Sequence, residues 1–138
     1  PLPPSGERGQ GLGGHNFWCG KCPKSAFAFV LFEAFVHKEE LSKIFGKNLL
    51  EDEALIPLYK ELLGLEGFKP FECVGTPQET AAAFILARKK DNWDDAVIMK
   101  MFIDEALPEI SSEDEMIGEA MICSDEHCIP EKFRSVVL

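Results

Sequence analysis

The segment from Lys24 to Val36 constrains the fold most, because it is predicted to form a helix with almost no polar face. Glu33 is the only charged residue in the apolar run from Ala26 to Val36. A helix that is apolar nearly all round is buried on most sides or lies between domains. The run is well short of the roughly 20 residues that cross a bilayer, so we expect no transmembrane helix.

The composition indicates one domain with a hydrophobic core, since 46% of the 138 residues are hydrophobic and eleven are Phe. A domain of this size has few fully interior positions for so many large rings, so we expect some of them to face a partner. The net charge of -10, from 14 basic and 24 acidic residues, repels phosphate backbones. Nucleic-acid binding is therefore not expected.

Local signals predict further helices. Residues 38 to 45 form a short amphipathic helix that Gly46 closes. Asp52 is placed to cap a helix that runs to Leu63. Pro57 lies within the first turns of that helix and moves its start to a later residue.

The clearest local signal is Thr76-Pro77-Gln78-Glu79, a capping box with proline at the first helical position, which opens a helix to Lys90. Two more helices are predicted from caps: Trp93 to Leu107 after Asp91 or Asn92, and a last one to about Ile122 after Ser111 or Ser112. The predicted fold class is mainly α, a small irregular helical domain of five to six helices with an extended C-terminal tail.

The two ends of the chain are predicted to differ from its middle. Residues 1 to 14 are mostly Pro, Gly and Ser, so we expect a flexible linker before a helical domain over residues 15 to 138. Gly9 to Gly14 lacks the preceding strand and the following helix with lysine that a phosphate-binding loop needs. Five cysteines at irregular spacing, without an export signal, favour reduced thiols and a cytoplasmic location.

Cys19-Gly20-Lys21-Cys22 is a candidate half of a metal site, because a glycine between two thiols lets backbone N–H groups approach the sulfurs. A structural zinc site needs four ligands. His15 could supply a third, whereas Ser25 stands where a third cysteine would continue the series. Zinc bound by His15, Cys19 and Cys22 and a metal-free structural turn both stay open. Redox chemistry is less favoured, because no βαβ unit precedes the motif.

His127, with Cys123 and Cys128, forms a second loose cluster near the C-terminus. Its spacing matches no closed zinc pattern. The alternative to a metal site is a docking strand whose apolar side chains, Ile129, Phe133 and Val136, lie on the core.

The connection from Glu66 to Thr76 combines two glycines, a proline, two acids, a lysine and a thiol. Loops rich in reactive groups carry function more often than helices do. Together with three other segments, this loop resembles the C-terminal portion of the UDP-N-acetyl-α-D-muramoyl-L-alanyl-L-glutamate epimerase family, over roughly His15 to Arg134. The three segments are Trp18-Cys19-Gly20-Lys21-Cys22-Pro23-Lys24, Ile44-Phe45-Gly46-Lys47-Asn48-Leu49-Leu50 and His127-Cys128-Ile129-Pro130-Glu131-Lys132-Phe133-Arg134.

The resemblance implies a part of an enzyme of peptidoglycan precursor synthesis. Such enzymes use ATP and Mg²⁺ to convert the terminal L-glutamate of the UDP-muramoyl dipeptide to D-glutamate. The carboxylate is activated as an acyl-adenylate, which acidifies the α-proton before that proton is removed and returned. The nucleotide-binding domain is expected upstream of this chain, so we expect the chain alone to be inactive.

Within this family resemblance, Cys73 is the best candidate base by residue type, because a thiolate accepts protons once its pKa falls below about 8.5. Glu72 is the next candidate, and Lys69 could hold a phosphate or carboxylate as a point charge. The alternative is that Cys73 is a buried small hydrophobe in a turn. Two other classes of protein stay open: a helical interaction module and a zinc-stabilised structural module.

Overall fold

The computed structural model describes residues 17 to 70, 74 to 91 and 93 to 137, and within these ranges it is mainly helical, as predicted, with no β-strand. The α-helices are α1 (Pro23–Glu33), α2 (Lys38–Phe45), α3 (Ile56–Leu62), α4 (Pro77–Lys90), α5 (Val97–Met101), α6 (Glu113–Met121) and α7 (Glu131–Val137). The described ranges thus hold seven α-helices rather than five to six. Short 3₁₀ turns join several of them.

Helix α4 packs against α1 and against α6, and α1 in turn packs against α2 and α3. Its capping box is confirmed: Thr76 Oγ1 accepts from the N–H of Glu79 at 3.2 Å, and Glu79 Oε2 accepts from the N–H of Thr76 at 2.7 Å. Most of its buried positions are alanines, whose small side chains let neighbouring helices approach closely. The cap and these small residues together fix α4 as the scaffold of the domain.

Helix α1 confirms the predicted apolar helix, but among the described residues only one side of it is buried. Ala26, Phe29 and Val30 are buried in the core. Phe32 and Phe35, at the C-terminal end of the helix and just beyond it, are exposed. No helix in the described ranges is both long and apolar enough to cross a membrane.

Aromatic rings connect the buried elements. Tyr59 on α3 is fully buried and donates its hydroxyl proton to the carbonyl of Ala26 at 2.9 Å. Its ring meets Phe84 edge-on, and Phe84 stacks on Phe102 with ring centroids 4.8 Å apart. Phe102 opens a π-helical turn, Phe102–Ala106, that extends α5 and keeps both of its end residues in the core.

The predicted start of a helix at Trp93 is wrong. Asp91 ends α4 instead, because its N–H donates to the carbonyl of Ala87. The next helix begins at Val97, because the backbone of Ala96 before it is extended, with φ of -67° and ψ of 136°. Trp93 is buried, and its indole N–H donates to a carboxylate on α1. The alternative cap, Asn92, lies outside the described residues.

The predicted extended C-terminal tail is also wrong over residues 131 to 137, which form α7. The docking-strand alternative fails as well, because Phe133 is 50% and Val136 is 82% exposed. Other predicted boundaries are confirmed. Gly46 ends α2 with φ of 77°, α3 starts only at Ile56, and Ser112 caps α6.

Candidate functional site

The Cys19–Cys22 turn brings both thiols to one point at the start of α1, as predicted. Ser25 is buried, and its Oγ lies 3.4 Å from each of the two sulfurs. The N–H groups of Lys21 and Cys22 donate to Cys19 Sγ at 3.5 and 3.3 Å. Gly20 makes the turn possible with φ of 68°, a conformation that side chains with a Cβ rarely adopt.

These contacts change the chemistry of Cys19. The hydrogen bond from Ser25, followed by the N–H of Lys21, lowers the pKa of Cys19 to about 6. The Cys19 residue is exposed, so it presents a thiolate to solvent at neutral pH. A thiolate is the reactive form of cysteine as a nucleophile and as a metal ligand.

The described residues supply only part of a metal-ligand set. They contain no group of three His, Cys, Asp or Glu side chains arranged to hold an ion. His15, the predicted third ligand, lies outside the described residues. In the second cluster Cys123 and Cys128 are exposed, and His127 Nδ1 accepts from the N–H of Ile129.

The loop with the predicted catalytic residues is described only at its two ends. Cys73 and Glu72 lie outside the described residues, and Lys69 is exposed. At the other end, Gly75 lies against Phe27 of α1: an added Cβ would come within 2.6 Å of the Phe27 ring. The loop therefore returns to the domain at the α1–α4 contact.

Glu33 is a buried carboxylate whose surroundings were not predicted from the sequence. It is fully buried; its Oε1 accepts from Trp93 Nε1 at 2.7 Å and lies 3.8 Å from Lys90 Nζ. Its Oε2 has no partner among the described residues. Burial raises the pKa of Glu33 to about 7, against the hydrogen bond from Trp93 and the charge of Lys90. In the sequence, the sign of this buried carboxylate is a single charge inside the apolar run from Ala26 to Val36.

An open groove of about 310 Å³ lies between α1, α4 and α6. In the described part of the chain, its lining is apolar except for one carboxylate: Phe27, Leu31, Ala34, Phe35, Gly75, Glu79, Ala82, Ala83, Leu86, Ala120 and Met121. Glu79 is engaged in the capping box. The groove thus offers hydrophobic contact and almost no polar chemistry.

Comparison with known proteins gives a consistent result. Residues 9–117 match the family described as the MurL C-terminal domain. Three similar curated proteins are each named UDP-N-acetyl-alpha-D-muramoyl-L-alanyl-L-glutamate epimerase. They come from a Micromonospora species (39% identical, covering 84% of this chain and 26% of the relative), Salinispora tropica (42%, covering 70% and 21%) and Xanthomonas oryzae pv. oryzae (36%, covering 82% and 25%).

The chain spans about a quarter of the length of these relatives. No solved structure matches it significantly.

Proposed function

The chain belongs to the MurL C-terminal domain family, and we propose on that basis that it forms the C-terminal part of a UDP-muramoyl-dipeptide epimerase. The observation that carries the proposal is the family match over residues 9–117, joined by 36% to 42% identity to three proteins named as this epimerase. The substrate would be UDP-MurNAc-L-Ala-L-Glu, and the reaction would invert its terminal glutamate. The alternative of a purely non-catalytic interaction module has no comparable support.

ATP and Mg²⁺ are proposed to bind outside this chain, in an upstream nucleotide-binding part. The cluster of cations at the end of α4 is not a good phosphate site, because its members are already paired with carboxylates. Arg88 bonds Asp94, Lys89 bonds Glu113 and Asp114, and Lys90 bonds Asp91. We therefore propose that this chain alone is inactive. We also propose a cytoplasmic location, because ATP is available there.

The proposed proton transfer uses the loop between α3 and α4. An ionised carboxylate makes the neighbouring α-carbon a poor acid, so activation of the glutamate carboxylate is needed before a side chain can remove the α-proton. Cys73 is proposed as the base, with Glu72 as the next candidate for that role. Lys69, which is exposed, is proposed to hold a phosphate or carboxylate of the substrate.

The test uses the full-length polypeptide that contains this chain, with Mg²⁺, ATP and UDP-MurNAc-L-Ala-L-Glu in D₂O. We expect D-glutamate after hydrolysis, deuterium at its α-carbon, and AMP with pyrophosphate in equal amounts. Replacing Cys73 by Ala should lower kcat by about 100-fold or more, whereas Cys128→Ala is the matched control on an exposed thiol. No D-glutamate would refute the epimerase, and full activity of Cys73→Ala would remove Cys73 from the mechanism.

We also propose that Cys19, Cys22 and His15 hold Zn²⁺ as a structural ion. Support comes from the two sulfurs, which face one point and receive backbone N–H bonds. The described residues provide two of the four ligands that such a site needs, so His15 and a further group must complete it. Metal analysis of the 138-residue chain at neutral pH tests the site. One Zn²⁺ per chain that Cys19→Ser removes is expected, and a metal-free chain would refute it.

A further inference from the structure

Four large apolar side chains are exposed on α1, just beyond its C-terminal end and at the end of α6, and together we name them the α1 outer face. Leu31 is 38%, Phe32 41%, Phe35 62% and Met121 63% exposed. The groove between α1, α4 and α6 runs into this face, because Leu31, Phe35 and Met121 also line it. Exposed apolar side chains that border an apolar groove are typical of an interaction site.

The chemistry of the α1 outer face favours a protein partner over the nucleotide-linked substrate. Among the described residues, Glu79 is the only charged one that lines the groove, and its carboxylate accepts the N–H of Thr76. Recognition of a diphosphate or of carboxylates needs cationic or N–H donors. The groove instead provides aromatic rings and small alanine side chains, which suit a packed hydrophobic interface.

The path of the polypeptide identifies the partner. Trp18 stacks on Phe45 at 4.8 Å and meets Phe32 edge-on at 6.2 Å, so the chain enters the domain beside the α1 outer face. The matched family is a C-terminal domain, and the chain covers only 26% of the Micromonospora relative. In such a protein the larger part of the polypeptide precedes this entry point. A short tether gives millimolar effective concentrations.

We propose that the α1 outer face is the docking surface for the N-terminal portion of the full-length enzyme. The inference rests on the proposed function, because that function places a nucleotide-binding part upstream. A second copy of this chain is the less suitable occupant. Each copy carries a net charge of -10, and two such copies repel each other. A domain of the same polypeptide is already held near the α1 outer face, so it docks without a separate association step.

The experiment measures thiol accessibility in the full-length polypeptide. Phe35→Cys places a thiol on the α1 outer face, and Val136→Cys is the control on α7, where the native residue is 82% exposed. The rate of maleimide labelling is read at each position by peptide mass spectrometry, which separates the native cysteines. Docking predicts labelling of residue 35 about tenfold or more slower than of residue 136, at every protein concentration. Leu31→Cys gives a second position if Phe35→Cys does not fold.

Equal labelling rates at residues 35 and 136 would overturn the proposal. Protection that disappears on dilution would also overturn it, because a second copy would then be the occupant. The epimerase assay of the unsubstituted polypeptide separates the two claims. Protection of residue 35 without D-glutamate formation would support the docking surface and refute the proposed function. D-glutamate formation without protection would support the proposed function and refute the docking surface.

Discussion

Cys19 shows how one hydroxyl sets the chemistry of a thiol. Ser25 Oγ contacts both sulfurs and also accepts the N–H of Gly20 at 3.3 Å. The same hydroxyl occupies the position that a third cysteine would take in a metal site. Ser25 therefore supports either a reactive thiolate or a structural turn without any change of backbone.

Replacing Ser25 by Ala should make Cys19 less reactive at neutral pH. Removal of the largest cause of the lowered pKa raises that pKa toward its ordinary value and reduces the thiolate fraction several-fold. The measurement is the pH dependence of iodoacetamide labelling at Cys19 after removal of metal by a chelator, with its midpoint near pH 6 in the unsubstituted chain. Ser124→Ala, on an exposed serine, is the control. An unchanged midpoint would show that Ser25 does not tune the thiol.

Glu33 and Trp93 illustrate what the sequence could not predict at this scale. The carboxylate and the indole are 60 positions apart, and no local pattern links them. Glu33 interrupts an apolar run, which the sequence shows, but its burial depends on an indole N–H supplied by a distant turn.

Glu33 should make the domain less stable as pH rises. Below pH 4.5 the carboxyl is protonated in the folded and unfolded states; between pH 4.5 and about 7 the folded state binds more protons. The free energy of unfolding then falls with rising pH, by about 3 kcal/mol across that window. Glu33→Gln, which keeps an acceptor for Trp93, should lack this fall.

Urea unfolding of both proteins across that pH window measures the difference. Other titrating groups are common to the two proteins and cancel in the comparison. Parallel stability curves would show that Glu33 does not titrate in the window.

At the scale of elements, helix ends were predictable where the cap is local. Thr76, Ser112 and Gly46 each act within a few residues of their helix, and each was predicted correctly. Asp91 was wrongly predicted to cap the start of a helix, because aspartate occurs both at the starts and near the ends of helices. Helix α7 was missed since its exposed side chains give no core-facing pattern.

Loss of the Thr76 cap should destabilise the whole domain, because α4 contacts both α1 and α6. Thr76→Ala removes the acceptor for the N–H of Glu79 and should lower the free energy of unfolding by about 1 kcal/mol. Gln78→Ala, on an exposed residue of the same turn, should have little effect. Chemical denaturation of both variants tests this, and equal stabilities would argue against the cap's contribution.

At the scale of the whole molecule, the domain divides into a packed part and a peripheral end. Among the described helices before residue 122, α1 and α6 pack on α4, α2 and α3 pack on α1, and α5 packs on α3, while no described helix packs extensively against α7. In the predicted catalytic loop, Cys73 and Glu72 lie outside the described residues, so their roles stay predictions. The Cys19–Cys22 turn was predicted from spacing alone, because its geometry is local.

Deletion of residues 131 to 138 should leave stability within about 0.5 kcal/mol of the complete chain, because α7 buries little apolar surface. Deletion from residue 113 onward should cost several times more, since it also exposes the face of α4 that α6 covers. Thermal unfolding of the two truncated chains provides the comparison. A large loss on removing α7 alone would mean that it packs on the core in solution.

The chain has two tryptophans, and their positions give it two built-in optical reporters. Trp93 donates to the buried Glu33 carboxylate, so its emission should follow the ionisation of the interior. Trp18 stacks on Phe45 where the polypeptide enters the domain, so its emission should follow docking at the junction with the N-terminal portion of the full-length enzyme. Substituting either indole by Phe would isolate the other signal, and unlabelled protein could then be followed at the core and at the junction separately.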